Sequence, residues 1–280
     1  MFCYTFPFPS TDEYKTKKLV LRKIEKGDYW IGDKENENCF QGKNSYHKVN
    51  IPKAYYISVF DMTGAQYGKI VDNQTSTDKK PKVLLSWNVM RGAAGSGARP
   101  SSGVFANLNN NAVLAADGKK CVDLNDPAVA ADATIGFDLP TESMWEIAAR
   151  AGDEHKYPIG QDSYANIGKY IWYYDNSDAG KTLHNVGTKP ANAWGLFDMP
   201  GNVCNYCRDT WNSGDLATLQ QNGLQPVASG TAASCGTRSI SYYRGNAGDE
   251  RIAMFNYSGR QAESKSGQYN GFGIRVAFIP

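Results

Sequence analysis

Phe137-Asp138-Leu139-Pro140-Thr141-Glu142-Ser143-Met144-Trp145-Glu146-Ile147-Ala148-Ala149-Arg150-Ala151-Gly152 is the stretch on which the reading of this chain turns. Thr141 can cap the free N–H groups of a helix start, and acids fill the turns after it. Arg150 sits where a cation meets the negative end of the helix dipole, and Gly152 can adopt the left-handed conformation that stops it. Met144, Trp145, Ala148 and Ala149 recur at helical spacing, so a buried stripe is expected.

Upstream of that helix the pattern is β-like. Residues 19–31 read as two short strands around the Gly27-Asp28 turn. His47-Lys48-Val49-Asn50-Ile51 alternates, and Ala54-Tyr55-Tyr56-Ile57-Ser58-Val59-Phe60 is rich in strand formers. Thr63 reads as the cap of a short helix through Gln66 and Tyr67. Residues 71–82 are polar and lysine-rich, hence a solvated loop, and Val83–Trp87 is a brief apolar run. From Arg91 to about Asp132 the composition turns to Gly, Ala, Ser and Asn, which reads as an insertion with weak local structure.

Downstream, ten of the 17 tyrosines fall at residue 157 or later, in short segments divided by Gly, Asn, Asp and Pro. Phe272, Ile274, Val276 and Phe278 alternate with Gly273, Arg275 and Ala277, the pattern of a closing strand. Together these features predict an irregular α+β fold low in regular secondary structure, with an N-terminal extension over 1–18 and a single domain over 19–280.

Composition sets the outer bounds. The chain has 280 residues, formal net charge +2, 41% hydrophobic and 21% charged residues. That balance argues against a dedicated nucleic-acid binder, and no run reaches the length of a membrane span. The start has none of the features of a signal peptide, as for a cytoplasmic chain or one trimmed of its leader. The 3 histidines, at 47, 155 and 184, leave little room for a histidine-held metal. Cysteines stand at 3, 39, 121, 204, 207 and 235. Cys204-x-x-Cys207 could be redox chemistry or half a zinc site, but no second pair has matching spacing, and ordinary buried thiols are the expectation.

Three segments carry a family likeness: Phe137–Gly152; Asn192-Ala193-Trp194-Gly195-Leu196-Phe197-Asp198-Met199-Pro200-Gly201-Asn202-Val203; and Tyr243-Arg244-Gly245 ending at Gly273-Ile274-Arg275-Val276. Their order resembles the formylglycine-generating-enzyme (sulfatase-modifying-factor) family, which implies a C-type-lectin-like fold. Tyr29–Gly32, Tyr55–Tyr67 and Val83–Trp87 agree with it. In catalytic members two cysteines after an Arg-Gly-Gly motif bind copper, activate oxygen and convert a protein cysteine to formylglycine. Here no cysteine follows Cys235, and thiolate is the soft ligand that copper(I) needs. No catalytic residue and no cofactor is therefore expected. Relatives carry Trp-Glu-Trp after Gly-Asn-Val where this chain has Cys204-Asn205-Tyr206, which leaves Asp198, Gly201, Val203 and Asn205 as a weak calcium candidate. The sulfoxide synthases of the superfamily hold iron with three histidines, whose helical spacing His47, His155 and His184 lack.

A third branch, the variable proteins of diversity-generating retroelements, uses the same fold as a binding platform with a rewritten C-terminal stretch. The tail over 242–275 is similar to such a surface. Its candidate binding residues are Tyr242, Asn246, Asp249, Arg251, Phe255, Asn256, Tyr257, Tyr269 and Asn270, with Asn205 and Tyr206 beside them; tyrosine plus small polar groups is a paratope-like mixture. The expected function is non-catalytic binding of an unidentified protein or surface ligand by a monomer, in a surface-displayed, phage or secreted context. Two alternatives stay open: a formylglycine-generating oxidase, and a structural or adhesion module with a fixed partner. Arg244 and Arg275 read as structural ties, Trp145, Trp172, Trp194 and Trp211 as core, and Gly195 and Gly201 as turns.

Overall fold

The computed structural model describes residues 2–3, 12–35, 41–92, 95–113, 118–123, 125–158, 164–239 and 255–280. Their strands form three sheets. The five-stranded sheet runs β1 (Phe2–Cys3), β2 (Val20–Ile24), β5 (Tyr55–Ser58), β11 (Ala277–Ile279) and β6 (Gly136–Asp138). The last strand therefore lies inside the sheet, antiparallel to both β5 and β6. β3 (Gly27–Ile31) pairs antiparallel with β4 (His47–Ile51). The third sheet orders β10 (Phe272–Gly273), β7 (Cys204–Trp211), β8 (Thr231–Arg238) and β9 (Arg260–Ser264).

Around them lie α1 (Glu13–Thr16), α2 (Gly64–Asp72), α3 (Trp87–Arg91), α4 (Gly103–Asn111), α5 (Pro127–Ala131), α6 (Glu142–Arg150) and α7 (Leu216–Leu219). The α+β class is as expected. Thr63 and Gln66 close a full capping box on α2, and the Thr141 hydroxyl accepts from Met144 N to start α6. Ala151 and Gly152 both take left-handed backbone, φ 51° and 87°, and end the helix.

Four expectations change. The stripe on α6 becomes burial on every side, because the helix is wedged against β3, β7 and β8. The strands read within 19–31 do not pair with each other: β2 joins β5 while β3 joins β4. The insertion is not weakly structured. In α4, Val104, Phe105 and Leu108 pack with Phe137 and Phe278 in the core, and Arg91 is fully buried with a two-pronged grip on Asp138 at 2.6 and 2.8 Å. The closing strand is split, since the chain crosses from β10 in one sheet to β11 in another. Residues 1–18 contribute β1, which pairs in parallel with Val20 and Leu21, and Tyr14, which packs against the core.

Candidate functional site

α6 carries two carboxylates one turn apart, and both face the end of the β7–β8–β9 sheet. Glu142 receives Arg260 Nε at 2.6 Å and Nη2 at 3.0 Å, and Arg238 Nε lies 3.1 Å away. Arg238 ends β8, Arg260 opens β9, and the two are cross-strand partners in register. Gly236 makes room for this contact, because a Cβ there would collide with Glu142 Oε1. Glu146 accepts from Arg150 Nε at 2.9 Å, Arg238 Nη1 at 3.1 Å, Gly32 N at 2.8 Å and Asn44 Nδ2 at 2.6 Å. Burial pushes both carboxyls up, but the neighbouring guanidinium groups outweigh it and hold them below the ordinary glutamate range.

The segment after β8 thus leaves from one fixed arginine and the chain returns to another. Ser239 takes φ 77°, its hydroxyl accepts from Gly201 N at 2.8 Å, and its carbonyl accepts from Cys204 Sγ at 3.2 Å. On the return, Phe255 stands edge-on to Tyr173 at 5.2 Å and packs with Ile167 and Ile171. Tyr257 donates to Asp153 Oδ2 at 3.1 Å under the Arg150 guanidinium.

This placement sorts the candidate binding residues. Phe255, Asn256 and Tyr257 are 1%, 6% and 2% exposed, so they anchor the segment instead of facing a ligand. Asn205 and Tyr206 are wholly buried in β7, another correction: alternation cannot expose either face of a strand covered on both sides. Tyr269 is half-buried and Asn270 is exposed. Tyr242, Asn246, Asp249 and Arg251 lie outside the described residues.

A second buried polar cluster lies on the far side of Asn205. Asn205 Oδ1 accepts from Trp145 Nε1 at 2.8 Å and Arg275 Nε at 3.4 Å, while its Nδ2 donates to Asp61 Oδ1 at 2.8 Å. Arg275 also donates to the carbonyls of Ser58, Val59, Phe197 and Asp198, the structural tie expected of it. Burial lifts the Asp61 carboxyl to about 7 and raises that of Asp198 as well. The weak calcium candidate does not fit this geometry. Asn205 has spent its oxygen on two donors, the Gly201 carbonyl accepts from Val203 N at 2.7 Å, and Asp198 Oδ2 accepts from Gly187 N at 2.6 Å.

Cys204, Cys207 and Cys235 are free but buried, and burial pushes the Cys207 and Cys235 thiols up, away from thiolate. Among the described residues no group of three His, Cys, Asp or Glu side chains could hold a metal. The histidines stay apart: His47 on β4, His155 beside Asp153, and His184 stacked on Trp172 at 3.6 Å. Of the core tryptophans, Trp145 and Trp211 are buried, whereas Trp172 and Trp194 are half-buried. Sequence reading missed Asp61 and the roles of Glu142, Glu146, Arg238 and Arg260. Two acids four residues apart on an otherwise apolar helix were the available signal.

A formylglycine-generating enzyme of Thermomonospora curvata is 38% identical over 111 residues, 35% of this chain and 35% of that enzyme. The mouse formylglycine-generating enzyme is 34% identical over 99 residues, 32% of this chain and 26% of that enzyme. These matches thus span about a third or less of the curated relatives. By fold, PvdO from Pseudomonas aeruginosa superposes with TM-score 0.68 at 17% identity, covering 94% of this chain and 98% of that one. Treponema denticola variable protein 1 gives TM-score 0.65 at 21% identity over 94% and 95% of the two chains. Since the sulfatase-modifying factor enzyme 1-like domain matches residues 5–279, nearly end to end, the chain belongs to that family.

Proposed function

We propose that this protein is a non-catalytic, ligand-binding member of its family, of receptor or adhesin type. A C-type-lectin-like scaffold presents the C-terminal stretch over 242–275 to a protein or surface ligand. The observation that carries this reading is the clamp at Glu142. Arg238 and Arg260, which flank the segment after β8, are both tied to one buried carboxylate. Tyr242, Asn246, Asp249 and Arg251 in that stretch supply the rings and small polar groups suited to a binding face. The likeness to the Treponema denticola variable protein supports a segment diversified by a retroelement.

The competing reading, a formylglycine-generating oxidase, draws on the identity with the curated enzymes. Against it stand the lack of any cysteine after Cys235 and the burial of the thiols in β7 and β8. Purified protein incubated with copper and a sulfatase-motif peptide decides between them. Binding predicts an unchanged peptide mass, and a mass loss at the peptide cysteine overturns it. Sequencing the locus across isolates tests diversification: substitutions should concentrate after about Tyr242, whereas an even spread or an invariant tail would speak for a fixed partner.

A further inference from the structure

The helix α2, the end of α4 and the connection from α1 to β2 border a cleft of about 330 Å³. Leu19, Ile70, Leu108, Val113 and Phe137 give it an apolar lining. Leu108 and Phe137 are buried at its floor, whereas Val113 is 47% exposed and leaves an apolar wall in water. The lining also holds Lys17, Lys18 and Lys69, and no carboxylate. Gln66 Nε2 donates to the carbonyls of Tyr14 at 3.0 Å and Lys18 at 2.8 Å. Those bonds hold the connection against α2, which sets Lys17 and Lys69 on one side of the cleft. Lys18 meets Glu13 at 2.7 Å, whereas Lys17 and Lys69 are exposed and form no ion pair among the described residues.

Hydrocarbon that fills such a hollow is favoured in proportion to the apolar area it takes from water. The lysines decide what else the occupant carries. Two unpaired ammonium groups beside an apolar wall, with no acid in the lining, attract an anion and repel a cation. Their stems lie along apolar surface while the charged ends stay in water, so an anionic head held there keeps much of its hydration. The volume stands at the lower end of the roughly 300–1,000 Å³ of small-molecule sites, which suits one short chain and not a folded segment or a two-chain lipid.

We propose that this cleft binds a free aliphatic carboxylate of medium length, its chain over Leu19, Ile70, Leu108 and Val113 and its head at Lys17 and Lys69. None of the lining residues lies within 242–275, so the site stands whether or not that stretch forms a binding face.

Calorimetric titration of the full chain with octanoate, hexanoate, 1-octanol and octylammonium tests it. Octanoate is expected to bind, and affinity should fall about fourfold for each methylene removed on the way to hexanoate. Loss of the charge in 1-octanol should cost about tenfold, and its reversal in octylammonium more. Lys17→Gln combined with Lys69→Gln spares the apolar lining and alters only exposed side chains. It should weaken octanoate by about tenfold and leave 1-octanol unchanged. No binding of octanoate, equal affinity for octanoate and octylammonium, or an unaltered octanoate affinity in the double variant overturns the proposal. Capture of the chain by phosphatidylglycerol vesicles without binding of octanoate overturns it too, and assigns the lysines to a membrane surface.

Discussion

Two buried polar clusters flank the start of β7, and they solve the same problem differently. On one side Glu142 and Glu146 share three guanidinium groups, those of Arg150, Arg238 and Arg260. On the other, Asp61 and Asp198 have one, Arg275, whose Nη2 stands 3.3 Å from Asp61 Oδ2 while also donating to the Phe197 and Asp198 carbonyls, and whose Nη1 serves those of Ser58 and Val59. Both sites are sealed from solvent, so depth does not separate them. Stoichiometry does. Glu142 and Glu146, each bonded to guanidinium groups, stay charged, while burial lifts Asp61, whose arginine is shared with four carbonyls, to about 7. Asn205 belongs to this economy of charge. Its amide gives Asp61 a hydrogen bond without adding a third acid.

The harshest way to break the contrast is Glu142→Ala. It leaves Arg238 and Arg260 buried without their shared partner, a situation that typically costs about 3–5 kcal/mol. Denaturant unfolding should show that loss, or no folded protein at all. A change below about 1 kcal/mol would mean that the ion pairs are incidental to the frame.

Asp61, and Asp209 against the Glu142 backbone on the other side, predict an unusual pH dependence. Asp61 and Asp209 titrate at about 7 in the folded chain, against 3.8 ordinarily. Burial is the main cause in each, with Glu142 adding to it at Asp209. Between those values the folded state holds protons that the unfolded chain has released, so these groups make stability fall as pH rises from about 4 to 7. Glu142 and Glu146 act the other way. Their folded pKa values lie below the ordinary 4.5, so the stability they add is present above it and lost as pH falls through the folded values. Thermal unfolding should therefore come latest near about pH 4 and earlier at pH 8. Asp61→Asn mimics the protonated form and should flatten the decline by up to about 1.4 kcal/mol per pH unit. An equally steep decline in that variant would assign the proton elsewhere.

Local features of the fold were legible in the sequence, and the clusters were not. Thr63 with Gln66, Thr141, and the left-handed turns at Gly195 and Gly201, φ 75° and 93°, are consequences of nearby backbone that a short window contains. The clusters are assembled at long range: Glu142 meets Arg260 across 118 residues and Asn205 meets Asp61 across 144. In α4 the three residues that reach the core sit among Asn and Ala, so mean polarity hid the stripe. Phe255 and Tyr257 failed for a third reason. Rings set among small polar groups look alike whether they wait for a ligand or plug a gap, and only the packing of Ile167, Ile171 and Tyr173 against Phe255 tells which.

At the edge of the cation-rich cluster the effects should be smaller. Tyr257→Phe keeps the ring beneath Arg150 and removes only the hydroxyl that donates to Asp153. A loss of about 1 kcal/mol in chemical unfolding is expected. No change would mean that the ring alone holds the returning chain.

Asn270→Ala sits at the bottom of this scale and outside both clusters. Asn270 is exposed between Tyr269 and the buried Phe272 that opens the crossing to β11. Its side chain lies on the water side of the frame, so its removal should move unfolding by no more than about 0.5 kcal/mol. A small effect has a consequence for recognition. An exposed position of this kind can be exchanged without cost to the fold, which is what the proposed binding role asks of it. A loss of stability comparable to that of Tyr257→Phe would place Asn270 among the anchors and remove it from the candidate binding residues.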